Sequence, residues 1–109
     1  MTIGAYTFEI HLTHARSLKD KRQVLRRLKD RLRARHNVAV AEVEDHANLW
    51  QRAEVVVVSV SSSRDALVRF FETVRAEVED LVPGQVIETG NDFIESTDGG
   101  HGGWGEEWP

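Results

Sequence analysis

A chain of 109 residues is one domain on length, and 40% apolar with 29% charged residues is the balance of a folded soluble protein, not a disordered one. The absence of cysteine excludes disulfides, thiolate nucleophiles and thiolate zinc sites, and suits a reducing compartment. The net charge of −4 conceals an uneven distribution: residues 16 to 36 hold ten Lys and Arg against Asp20 and Asp30, while the remainder holds four against 16 acidic residues. Such asymmetry bears on partners, not on fold.

Residues 3 to 13 alternate. Tyr6, Phe8, Ile10 and Leu12 share one side and Ala5, Thr7, Glu9 and His11 the other, the period of a strand with one buried face. Glu9 and the lack of a basic segment ahead of an apolar run argue against a signal peptide, so the expected location is the cytoplasm. Ser17 has the character of a helix N-cap, with Asp20 supporting the first turn. Leu18, Val24, Leu25, Leu28 and Leu32 then predict an amphipathic helix over 18 to 35, with Asn37 as a left-handed stop.

Val38 to Val43 is a short β-prone run, followed by a polar connection over 45 to 52. Ala53 to Ser61 contains VVVVSV, a β-branched run suited to the middle of a sheet and far too short to span a bilayer. Ser62 or Ser63 caps a second helix, whose stripe is Leu67, Phe70, Phe71, Val74, Val78 and Leu81, and Pro83-Gly84 breaks it. Residues 85 to 94 form a last strand. The Gly-rich and acidic stretch from Ser96 reads as a flexible tail, which leaves residues 1 to 95 as the domain. The order βαββαβ, with one apolar stripe per helix, predicts a ferredoxin-like α+β fold. Two helices cover one face of a four-stranded antiparallel sheet, with the first and third strands central.

SLKDKR at 17 to 22, VAVAEVEDH and LWQRAEVVVVSVSS resemble the small bacterial family called domain of unknown function 503, or YlxP-like, over about residues 2 to 95. The matching positions are Ser17 to Arg22, Glu42, Asp45, Trp50 and Arg52. The resemblance implies a ferredoxin-like fold. It also implies genes beside those for translation initiation factor two and ribosome-binding factor A, hence a role near the ribosome. It carries over no catalytic residue.

On the first helix, Lys19, Arg22, Arg26, Lys29 and Arg33 share one flank at spacings of three and four, a row about 21 Å long. Such a row suits the phosphates of an RNA strand; a solvated face and a protein-docking face are the other readings. Lys21 falls inside the apolar arc, in a first turn that disfavours a cation. It calls for a carboxylate, from Glu42, Glu44 or Asp45, as a structural clamp. No aromatic platform appears on the outer side of the first strand or on either side of the third, so RNA contact is expected at the helix and mainly to phosphate. The open sheet face is a candidate homodimer surface.

Glu42, Glu44, Asp45 and His46 are the densest ligand-type cluster, but alternation along a strand keeps them from converging, and an acidic loop is the simpler reading. No phosphate loop, dinucleotide fingerprint or nucleophile elbow is present. The expectation is a non-catalytic protein without metal or cofactor, acting near ribosomal RNA, or else a dimeric protein-interaction module. Leu49 and Trp50 are expected to fold back over the core, with Trp50 as a partner anchor the lesser reading. Trp104 and Trp108, flanking Glu106 and Glu107, form a candidate linear binding motif.

Overall fold

A computed structural model describes residues 1–43, 49–82 and 84–96. The elements run β1 (Thr2–His11), α1 (Leu18–Arg35), β2 (Ala39–Val43), β3 (Arg52–Ser61), α2 (Arg64–Leu81) and β4 (Gln85–Glu95). The four strands form one antiparallel sheet in the order β2-β3-β1-β4. The helices lie on one face, and the fold is ferredoxin-like.

β1 and β3 pair over their full length, from Thr2 opposite Ser61 to His11 opposite Arg52. This register sends Tyr6, Phe8, Ile10, Ala53, Val55 and Val57 inward, where they are buried with Leu25, Leu28 and Leu32 of α1 and Leu67, Phe71, Val74 and Val78 of α2. Each large apolar side chain so buried contributes about 1.5–3 kcal/mol. Tyr6 stacks on Phe71, with centroids 5.4 Å apart and planes 19° from parallel. Burial raises the Tyr6 phenol above its ordinary value, and Glu88 adds to the shift. The register also resolves the two faces of VVVVSV, because Val56, Val58 and Val60 point to the open side opposite Thr7, Ala5 and Ile3.

The caps follow their residue types. Ser17 accepts from the Asp20 amide at 3.1 Å, and Ser63 accepts from the Ala66 amide at 3.2 Å. The end of α1 corrects the expected left-handed stop at Asn37. The helix closes one residue earlier at His36, whose backbone is extended (φ −138°, ψ 156°) and whose amide reaches the Leu32 carbonyl. Tertiary contacts hold that end in place of a glycine-like cap: His36 sits 2.9 Å from Glu77 and edge-on to Phe70, and the Asn37 carbonyl accepts from Ser59 Oγ at 3.0 Å. Among the described residues no helix is long and apolar enough to cross a membrane.

Gly84 precedes β4 at a close backbone crossing. A Cβ there would stand 2.1 Å from the His11 carbonyl oxygen, a main-chain atom in a paired strand that cannot retreat. Gly84→Ala is therefore expected to lower stability by about 1–3 kcal/mol in urea unfolding. An ordinary exposed Gly→Ala change would leave it unchanged or slightly raised.

Candidate nucleic-acid interface

Lys21 is the pivot of this side of the molecule. Its residue is 1% exposed, although it begins in the first turn of α1. Its ammonium lies 2.9 Å from Glu42 Oε2 on β2 and donates to the Leu49 carbonyl at 2.8 Å. The expected clamp is thus present with Glu42 as its carboxylate; Glu44 and Asp45 lie outside the described residues. Glu42 points inward because it stands opposite Val55 in the β2–β3 register, and Val55 faces the helices.

The basic row flanks that clamp. Arg22, Arg26, Lys29 and Arg33 line one concavity of about 230 Å³, whose wall is completed by Leu25, Asp30 and Glu42. It runs between α1 and β2, one of the two edge strands of the sheet. Lys19 is exposed beyond its end. The five cations are not equivalent. Arg33 donates to the Val40 carbonyl at 2.9 Å and so ties α1 to β2. Lys19, Arg22, Arg26 and Lys29 make no ion pair among the described residues. Among the other cations Arg35 pairs with Glu77, Arg52 with Glu9, Arg64 with Glu95 and Arg75 with Glu79, while Arg16, Arg27, Arg31 and Arg69 likewise make no ion pair among the described residues. Glu42, which lines the same concavity as Asp30, already carries Lys21 as its counter-charge.

Leu49 and Trp50 depart from the expected fold-back over the core. They are 46% and 50% exposed. The backbone explains this. The Leu12 amide donates to the Gln51 carbonyl at 2.7 Å, and Lys21 takes the Leu49 carbonyl. With those carbonyls spent on inward bonds, the Leu49 and Trp50 side chains stay at the surface. Of the residues assigned to partner binding, Trp50 is therefore available, and Trp104 and Trp108 lie outside the described residues. So does His46, and with it most of the acidic cluster over 42–46.

A second polar cluster sits on the open sheet face, where the alternation of β1 placed Glu9 and His11 but did not show their partner Arg52. Arg52 Nε and Nη2 donate to Glu9 Oε1 at 2.9 and 2.6 Å, and His11 Nε2 lies 2.6 Å from the same oxygen. Glu9 and Arg52 are 43 positions apart in sequence, so only the β1–β3 pairing joins them. The Arg52 hydrogen bonds, aided by His11, hold the Glu9 carboxyl below its ordinary value of 4.5 against the opposing effect of burial.

The family described as "Protein of unknown function (DUF503)" matches residues 3–90, most of the chain. The chain belongs to this family. It is also similar to the Bacillus subtilis (strain 168) protein named "Uncharacterized protein YlxP", at 39% identity over 62 residues, 57% of this chain. The aligned segment spans 66% of that relative's length, just under two thirds. The DUF503 match takes in the basic row, the Lys21–Glu42 clamp and Trp50, and ends within β4.

Two measurements test these clusters. Lys21→Met strands Glu42 without its counter-charge and frees the Leu49 carbonyl, and is expected to cost about 3 kcal/mol in chemical unfolding. Adding Glu42→Gln to it is expected to recover part of the loss; strict additivity of the two changes would count against a coupled pair. For Glu9, a lowered carboxyl value means stability present above 4.5 and lost as pH falls through the lower folded value. Wild type is expected to exceed Arg52→Gln in unfolding free energy at pH 6, with the gap closing below 4.5. A gap independent of pH would show that the pair does not act through Glu9 ionisation.

Proposed function

We propose that the protein is a non-catalytic, cytoplasmic accessory protein that binds RNA phosphates along the groove between α1 and β2. The observation that carries this reading is the uncompensated row. In a chain of net charge −4, Lys19, Arg22, Arg26 and Lys29 stand together without acidic partners among the described residues, although acidic side chains pair with cations elsewhere. Like charges at helical spacings of three and four repel by a few tenths of a kcal/mol per pair. A polyanion relieves that repulsion and releases its own counterions. Contacts of this type position a backbone and do not read sequence. The gene neighbourhood implied by the family resemblance makes ribosomal RNA the class to test first.

A second reading has its own observation. The open sheet face carries an apolar row of Val60, Ile3 and Ile94, adjacent across three strands, with Val60 and Ile94 51% and 60% exposed. A homodimeric interaction module would use this face and leave the groove a solvated surface.

The deciding experiment is anisotropy of labelled structured ribosomal RNA against salt, for wild type and for Arg22→Gln, Arg26→Gln, Lys29→Gln combined. Arg33 is left intact because it holds Val40. Three lost phosphate contacts are expected to reduce the slope of log affinity on log salt by about 2. No binding by wild type at low salt, or an unchanged slope in the variant, would overturn the phosphate reading. Concentration-dependent self-association without RNA binding would favour the second.

A further inference from the structure

The Trp50 surface is built as a rigid display. Two hydrogen bonds hold the backbone of residues 49–51 to the start of α1 and the end of β1, and the Gln51 side chain reaches the connection between them. Lys21 takes the Leu49 carbonyl at 2.8 Å, and the Leu12 amide takes the Gln51 carbonyl at 2.7 Å. The Gln51 side chain makes longer contacts to the Thr13 and Ala15 carbonyls at 3.5 and 3.4 Å. Leu49, Trp50, Gln51 and Arg52 line a concavity of about 460 Å³. Arg52 is itself fixed by Glu9. A large ring half in water on a pinned backbone loses little freedom when a flat ligand covers it.

Two features indicate what covers it. Of the described Phe, Tyr and Trp side chains only Trp50 is exposed, since Tyr6, Phe8 and Phe71 are buried and Phe70 and Phe93 partly so. It is also tied to the α1 N-terminal end of the groove, because Lys21, which donates to the carbonyl of the preceding Leu49, pairs with the Glu42 that walls the groove. Lys19 and Arg22, on the same helical turn as Lys21, are exposed and without acidic partners among the described residues. An exposed aromatic face at the same end of the molecule as cations without ion pairs is complementary to one ligand chemistry, a base with its flanking phosphates.

We propose that Trp50 is a stacking platform for one unpaired base at the α1 N-terminal end of the phosphate groove, so that the ligand is single-stranded or looped RNA and not continuous duplex. The proposal rests on the phosphate reading above and adds the class of RNA to it. Phosphates contact Lys19 and Arg22 and run on toward Arg26 and Lys29, while the base next to them lies on the indole. Stacking of this kind tolerates any base, because each has a π-face.

The test uses the full chain with Trp104→Phe and Trp108→Phe, which leaves Trp50 as its one tryptophan. The probes are a 12-nucleotide oligoadenylate, a 12-base-pair RNA duplex and inorganic polyphosphate. Oligoadenylate and polyphosphate are both expected to bind, but only oligoadenylate to quench Trp50 emission. Trp50→Ala is expected to weaken oligoadenylate about tenfold and leave polyphosphate unchanged, with Trp50→Phe intermediate. The duplex is expected to bind without quenching. If oligoadenylate binds without quenching, and binds Trp50→Ala as it binds wild type, stacking is overturned while phosphate binding stands. If none of the probes binds at low salt, both readings fall. Trp50 is half exposed, so Trp50→Ala is expected to melt as wild type does; an unfolded variant would show that the ring is structural, against the proposal.

Discussion

One buried ammonium organises the interface side of this protein. Lys21 lies where the core-facing arc of α1 would ordinarily place an aliphatic residue, and where the helix dipole opposes a cation. Its side chain is buried, and its charge meets Glu42 on β2 and the carbonyl of Leu49. Removing a charge of this size from water costs several kcal/mol unless it is paired and hydrogen-bonded. The consequence is geometric: α1, the edge strand β2 and the chain entering β3 keep a fixed mutual position.

The basic groove and the Trp50 surface both follow from that position. With β2 held beside α1, Arg22, Arg26, Lys29 and Arg33 gather around one concavity instead of dispersing along an open helix. Arg33 then reinforces the arrangement by bonding Val40, and the remaining cations keep their charge available. The Leu49 carbonyl is turned toward Lys21 at the start of α1, and Leu49 and Trp50 stand at the surface. The same clamp thus shapes both parts of the proposed RNA interface.

The open face of the sheet is divided. Its apolar end carries Val60, Ile3 and Ile94; its polar end carries Glu54, Glu9, His11 and Arg52. Glu9 gathers Arg52 and His11 on one oxygen, which stabilises its charged form and holds Arg52 beside Trp50. A sheet covered on only one face needs such devices, because its second face meets water without helices to shield it.

Local pattern was sufficient for the elements and their order. Period-two alternation in residues 3 to 12, the stripe from Leu18 to Leu32, the β-branched VVVVSV and the caps Ser17 and Ser63 all depend on neighbours a few positions away, so the βαββαβ order and the central place of β1 and β3 were legible. The misplacement of Lys21 in an apolar arc was legible for the same reason, and Glu42 was among its three candidate partners. Contacts across the sheet decided the rest. Which face of VVVVSV is buried depends on a register that a single strand does not encode. The Glu9–Arg52 pair, the Arg33 bond to Val40 and the extended end of α1 at His36 each need a partner from another element. Trp50 departs from its expected burial: it is half exposed on a backbone whose neighbouring carbonyls are bonded by Lys21 and Leu12, contacts from other elements. Sequence by itself determined the fold and the concentration of charge on one helix; the tertiary structure alone decided which of those charges are neutralised and which face solvent, because ion pairing is set by distances between elements.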